Sequence, residues 1–200
     1  MFEENSFGYS MTDMLTMGMK GDFGLLTLPA LSALPFAAQA LHEIKSGAIR
    51  PAVFRTGRKN WIIGKVAGCV ISGMLLQGAA VGLLFLILNG LMRGYAGQWF
   101  PWGDGGDFWP MLLRRMLCGG IWAGVGCIIA LATETASAAY LAPLCLCYAL
   151  MMIGTRFFPD VAMLNPMQWV NGAAWLLVVL LIITIALQAL FLKRGVQKYA

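Results

Sequence analysis

Side chains suited to acid–base, nucleophilic or metal chemistry are few in this chain and widely spaced. His42 is the only histidine, and His42-Glu43 begins a zinc-protease pattern that fails because Ser46 stands where the second histidine is needed. The apolar stretches hold no pair of acids, and the sequence has neither a GxSxG elbow nor a GxxxxGK[ST] phosphate loop. We therefore predict no catalytic residues, no metal site and no ATPase site within the chain.

The five cysteines also point away from redox or metal chemistry. Their number is odd, no CxxC pair occurs, and each lies inside an apolar stretch. We expect them to be small buried residues. They are Cys69, Cys118, Cys127, Cys145 and Cys147.

The richest polar feature is the segment 42–65, which reads HEIKSGAIRPAVFRTGRKNWIIGK. Pro51 can open a short helix, because the first turn of a helix does not need its missing amide hydrogen. That helix would carry Val53 and Phe54 with Arg50 and Arg55 beside them. On composition alone, the segment is either a basic loop retained on the inner side of a membrane or a surface offered to a cytoplasmic partner.

The elements that position this segment are hydrophobic. The chain is 60% hydrophobic and 12% charged, with a mean hydropathy of +0.75, which is too apolar to cover a soluble domain. Uncharged runs long enough to cross a bilayer recur along it. We predict an all-α, multi-pass membrane protein that forms a single domain over 1–200. Its five spans are predicted at about 23–41, 62–92, 116–133, 137–155 and 169–192.

Two proline and glycine patterns bear on these spans. Pro29 and Pro35 fall within the first span and should kink it. Glycines four residues apart let helix backbones approach closely, either within one subunit or between subunits. The pairs are Gly64 with Gly68, Gly78 with Gly82, and Gly120 with Gly124. Before the spans, Met11, Met14, Leu15 and Met19 share one side at helical spacing, so residues 1–20 could form a short helix at the outer face.

The distribution of lysine and arginine predicts the orientation. Nine basic residues fall on one side of the five spans and five on the other, so the richer side is assigned to the cytoplasm. This places the 42–61 loop and the C-terminus in the cytoplasm of a cell carrying the protein in its plasma membrane. The net charge of +5 is accounted for by this asymmetry, and no nucleic-acid partner is expected. The nine are Lys45, Arg50, Arg55, Arg58, Lys59, Lys65, Lys193, Arg194 and Lys198.

Two motifs resemble the membrane subunits of type-2 ABC exporters. The first cytoplasmic loop of that family often has a glutamate, a glycine four residues on, a basic stretch with an R-[TS]-x-R turn, an aromatic residue and a Gly or Ser before lysine. The second motif is an Asn-Pro pair before the last span, matched by Asn165-Pro166 with Trp169 following. The first-loop matches are Glu43, Gly47, Arg50, Arg55-Thr56-Gly57-Arg58, Trp61 and Gly64-Lys65.

The resemblance covers the chain from about residue 25 onward, and it implies a function. In that family the first cytoplasmic loop is a coupling helix that docks on a separate ATPase, which binds ATP and Mg²⁺. It implies an ATP-driven exporter permease that binds no cofactor itself, pairs with cytoplasmic ABC ATPase subunits and a second permease subunit, and sits among membrane lipids. The coupling residues carried over are Glu43, Gly47, Arg50, Arg55, Arg58 and Lys65.

Alternatives remain at this point. Family members usually have six spans, so the resemblance implies that a first membrane helix lies upstream, is missing or comes from another chain. A non-transporting scaffold or accessory subunit would need the same spans. An intramembrane enzyme is disfavoured because an acid, base and nucleophile set is missing. The outward-facing Trp and Phe residues fit a peptide or amphipathic substrate, and lipid anchoring explains them equally well.

Overall fold

The computed structural model describes residues 10–21, 29–96, 106–159, 161, 165–172 and 174–199, and these ranges contain helices and turns but no β-strand. The helices with defined ends are α1 (Met11–Lys20), α2 (Gln39–Lys45), α3 (Ile49–Thr56), α4 (Arg58–Ala96), α5 (Phe108–Thr133), α6 (Ala136–Arg156), α7 (Pro166–Asn171) and α8 (Ala174–Tyr199).

Four helices of the described chain, α4, α5, α6 and α8, are long and apolar enough to cross a membrane. The predicted all-helical class is confirmed for the described residues, and these four helices are its candidate membrane spans. The spans expected at 62–92, 116–133, 137–155 and 169–192 fall on these four helices, with different ends.

The first predicted span, 23–41, is not one continuous helix in its described part. Residues 22–28 lie outside the described residues, and the chain is helical at 29–33, turns through 34–38 and enters α2 at Gln39. Pro35 lacks the amide hydrogen that a continuing helix needs, and its ring crowds the preceding turn. Short turns replace the helical ladder here, closed by Leu34 N–H to Leu31 O at 3.2 Å and Gln39 N–H to Phe36 O at 3.2 Å. The proline therefore breaks the segment where only a kink was expected.

The helices on either side of the loop between the predicted spans 62–92 and 116–133 are longer than the uncharged runs in the sequence. α4 continues past Arg93, and α5 begins at Phe108, so Arg114 and Arg115 lie on α5. Arginine has high helix propensity, and its long stem lets the charge reach a polar partner from inside a helix. A charge ends an uncharged run without ending the helix.

The last predicted span is divided at its start. Trp169 lies on the short helix α7, and α8 begins at Ala174. The Gly172 N–H donates to Gln168 O at 2.6 Å, and a Cβ at Gly172 would lie 2.5 Å from that same oxygen. Only glycine fits this contact, which closes α7 and separates it from α8.

α5 is the central helix of the bundle, and it is the most buried of the four long helices. It packs against α4, α6 and α8. The backbones of α4 and α5 approach most closely at Gly73 and Gly119, where a Cβ on Gly73 would lie 2.5 Å from Gly119 O. This close pair was not among the glycine pairs predicted from spacing.

The predicted glycine pairs behave differently from one another. A Cβ at Gly124 would lie 2.5 Å from Cγ2 of Thr184 on α8, so this glycine does allow close packing within the chain. Gly64, Gly68 and Gly82 have nothing within 4 Å of such a Cβ. A Cβ at Gly120 would lie 3.1 Å from Val70 on α4, and one at Gly78 would lie 3.4 Å from Met116 on α5. Spacing four apart therefore identified two packing glycines on α5 and one on α4, whereas the other three lie on open faces of α4.

The predicted N-terminal helix is confirmed as α1, which lies at the end of the bundle where α5 begins. The Ser10 and Asp13 side chains form a capping box at its start. Met11, Leu15 and Met19 on one side of α1 are buried against the ends of α4 and α5. The opposite end of the bundle carries α2, α3, the start of α4 and the C-terminal turns of α5 and α8, and we call it the basic end.

Candidate coupling surface at the basic end

The turns on either side of α3 are fixed by two glycines. Gly47 has φ of 75° and Gly57 has φ of 77°, a region that residues with a Cβ rarely adopt. The Gly57 N–H donates to Val53 O at 2.9 Å and ends α3. Gly47, which the resemblance assigns to the coupling element, therefore shapes the turn between α2 and α3.

α3 starts slightly earlier than expected from Pro51. Ile49 is its first residue, and Pro51 follows within the first turn, where no amide donor is required. Ile49 is fully buried in a core cluster that includes Ile44, Trp61 and Leu192. This anchor holds α3 against the start of α4 and the end of α8.

The two faces of α3 differ sharply in exposure. Ala52 and Val53 pack against the core cluster. Phe54 is 92% exposed, and Arg50 and Arg55 are also exposed. We call these three residues, Arg50, Phe54 and Arg55, the α3 surface.

An ion pair joins α2 to α4, the helices that precede and follow α3 in the chain. The Lys65 ammonium lies 2.5 Å from Oε1 of Glu43, and both side chains are about a quarter exposed. The Gln39 amide also donates to that carboxylate oxygen, at 3.4 Å. Because it is partly shielded from water, this pair holds α2 more strongly than a fully exposed pair would.

Two further cations bind backbone carbonyls at helix ends. Arg58 Nη2 donates to Lys193 O in α8 at 3.1 Å. Lys45 Nζ donates to the backbone oxygen of Glu134, the residue that caps α5 in the left-handed region. The Glu134 carbonyl lies just past the end of α5, where carbonyls lack intrahelical donors and a cation complements the helix dipole. The Lys193 carbonyl lies within the C-terminal part of α8.

The six predicted coupling residues are thus brought to one end of the bundle, in three structural roles. Glu43, Lys65 and Arg58 bind other parts of the chain, and Gly47 forms a turn. Arg50 and Arg55 stay exposed on α3. The residues carried over from the resemblance did not include Phe54, the most exposed large apolar side chain of the described chain. The signal for it in the sequence is an aromatic residue among charged ones on a short helix.

The second predicted motif lies at the opposite end of the bundle. Asn165 is buried, and Pro166 is the first residue of α7. The backbone oxygen of Asn165 accepts from Gln168 N–H at 2.9 Å. Trp169 stacks on Trp122 of α5 with ring centroids 5.6 Å apart. The Asn-Pro motif therefore forms the corner that directs the chain onto α5.

The described part of the chain offers no group of three or more His, Cys, Asp or Glu residues that could hold a metal ion. His42 is exposed on α2. Four cysteines are buried as predicted, Cys145 is exposed, and all five are free thiols.

Comparisons of the chain with family models, with curated proteins and with solved structures find no match. Support for a function comes from this chain's own residues.

Proposed function

We propose that the chain is a membrane subunit of an ATP-driven exporter, in which α3 is the coupling helix that contacts a separate ATPase. The observation that supports this proposal is the α3 surface, an exposed aromatic residue between two exposed arginines on a helix fixed at both ends. The matched loop motif of the sequence, from Glu43 to Lys65, falls on the same element.

The exposure of the Phe54 side chain supports the proposal of a partner at α3. Burying a phenylalanine side chain is worth about 2 kcal/mol, and this one gains almost none of that within the chain. Interface anchors are typically an aromatic residue or arginine that fills a pocket on the partner. Arg50 and Arg55 can add contacts to carboxylates around such a pocket.

The contacts that hold α3 and its neighbouring helices fit a role in transmitting motion. Ile49 anchors α3 in the core, and Arg58 joins the start of α4 to the end of α8. The Glu43–Lys65 pair joins α2 to α4. If a closing ATPase displaced α3, these contacts would therefore move α4 and α8 with it, each as a near-rigid body. ATP and Mg²⁺ would be bound by the ATPase, and a second permease subunit would complete the path across the membrane.

The proposal is tested by co-expressing the tagged chain with its neighbouring reading frames and purifying it in mild detergent to find an ATPase that binds it. We expect Phe54→Ala to weaken binding of the ATPase by at least about 2 kcal/mol, or about 30-fold. Phe157→Ala is the matched control, because Phe157 is a phenylalanine 72% exposed near the other end of the bundle. The measurement is the dissociation constant of the ATPase, read with the rate of ATP hydrolysis by the complex.

A second variant addresses charge. Arg55→Glu should weaken ATPase binding, whereas Arg156→Glu near the opposite end of α6 should leave it unchanged. ATPase binding that is insensitive to both Phe54→Ala and Arg55→Glu would refute the coupling role of α3. If no ATPase binds, the alternative function is favoured, that of a non-transporting scaffold or accessory subunit.

A further inference from the structure

A cavity of about 220 Å³ opens at the basic end between α2, α5 and α8. Its walls are apolar, and its charged groups are Lys45, Arg194 and Glu134. The apolar lining residues include Leu41, Ile44, Leu131 and Phe191. The cavity is separate from the α3 surface, and none of the three α3-surface residues lines it.

The charges at this cavity are unequal. Lys45 and Arg194 contribute two positive charges against the one negative charge of Glu134. Within the described ranges, neither cation forms an ion pair with a carboxylate. Lys45 donates to the backbone oxygen of Glu134, and the Arg194 guanidinium lies 6.0 Å from the centre of the Phe191 ring. Both retain capacity to bind an anion, since lysine has three donors and arginine five.

The position of the cavity selects a particular kind of anion. It lies where α5 ends at Thr133 and where α8 changes from apolar residues to Lys193 and Arg194. This change marks the level at which a bilayer passes from hydrocarbon to headgroups. Apolar walls at that level fit an acyl chain, and cations beside them fit a phosphate headgroup.

We propose that this cavity binds an anionic phospholipid of the adjoining leaflet. The headgroup phosphate lies between Lys45 and Arg194, and the first part of an acyl chain lies against Leu131 and Phe191. A free phosphate ion has nothing to place against these walls, so the lipid is the ligand that uses the whole cavity. This inference does not depend on the exporter role.

The test uses the full chain in an uncharged detergent and native mass spectrometry of bound lipid. The probes are phosphatidylglycerol and phosphatidylcholine with the same acyl chains, and inorganic phosphate. We expect phosphatidylglycerol to bind more tightly than phosphatidylcholine, and Arg194→Gln and Lys45→Gln each to weaken it about fivefold. Excess inorganic phosphate should not displace it.

Lys193→Gln is the matched control, because Lys193 is the exposed neighbour of Arg194 and does not line the cavity. It should leave lipid binding within about twofold of the unmodified chain, because its charge lies outside the cavity. Equal binding of the two lipids, an equal loss in Lys193→Gln and Arg194→Gln, or displacement by phosphate alone would each overturn the proposal. If Arg194→Gln does not fold, the comparison of Lys45→Gln with Lys193→Gln gives the same decision.

Discussion

Glu43 and Lys65, 22 positions apart in the sequence, meet at 2.5 Å and join the short helix α2 to the long helix α4. This pair places α3 on a fixed base, because α3 is connected to α2 through the Gly47 turn. Two of the six residues that the resemblance assigns to a coupling element are therefore paired with each other. They hold together the helices on either side of α3.

Breaking this ion pair should loosen α2 without unfolding the bundle. Because both side chains are partly shielded, we expect Glu43→Gln and Lys65→Met to show a coupling free energy of about 1 kcal/mol in a double-mutant cycle. The measurement is thermal unfolding in detergent, with proteolysis at Lys45 as a local probe. Strictly additive effects of the two substitutions would show that the pair contributes nothing.

The α4–α5 crossing should tolerate no side chain at its closest point. Gly73→Ala and Gly119→Ala each force a Cβ to within about 2.5–2.6 Å of the facing helix. We expect a loss of about 1–3 kcal/mol in the free energy of unfolding for each. Gly64→Ala and Gly68→Ala are matched controls on α4 with open space around the new Cβ, and they should cost little. Equal losses for all four would contradict this packing.

Arg115 should hold α1 onto the bundle. It is 6% exposed, and its Nη1 donates to the backbone oxygen of Met19 at 2.8 Å. Hydrogen bonds from a charged donor contribute about 1.5–3 kcal/mol, so Arg115→Met should release the end of α1. Trypsin cleavage after Lys20 should then be faster, while Arg114→Met, one position earlier, should leave the rate unchanged. A rate unaffected by Arg115→Met would show that other contacts hold α1.

The start of α1 should weaken in acid. Hydrogen bonds from the Ser10 hydroxyl and then from the Ser10 backbone amide lower the pKa of the Asp13 carboxyl. A lowered pKa in the folded state means that the ionised form stabilises the cap above the ordinary carboxyl pKa of about 4. That stabilisation is lost as the pH falls through the lower, folded-state value. Amide exchange in α1 should increase in that range, and Asp13→Asn should remove the pH dependence.

The lengths of the uncharged runs predicted the four long helices of the described chain, because a helix needs about 20 apolar residues to cross a bilayer. They did not predict helix ends, since Arg93, Arg114 and Arg115 continue α4 and α5. The break at Pro35 exceeded the expected kink, because the backbone around it forms separate turns before α2 begins.

The site was less predictable than the helices. Motif matching placed Glu43, Arg58 and Lys65 in one element, but it could not assign their partners. The Glu43–Lys65 pair depends on how α2 packs against α4, and the bond from Arg58 to the Lys193 carbonyl depends on how α4 packs against α8. The same limit applies to Gly64 and Gly68, because spacing defines a face of α4 without stating what that face meets.

The central claim is that the α3 surface faces the cytoplasm and is covered by an ATPase. It is tested by labelling Arg55→Cys with a membrane-impermeant maleimide, in a chain whose exposed Cys145 is replaced by alanine. We predict labelling in inside-out vesicles but not in intact cells, and slower labelling once the ATPase is bound. A Phe157→Cys reporter near the opposite end should show the reverse sidedness. Labelling of Arg55→Cys from outside intact cells would contradict the orientation and the coupling role together.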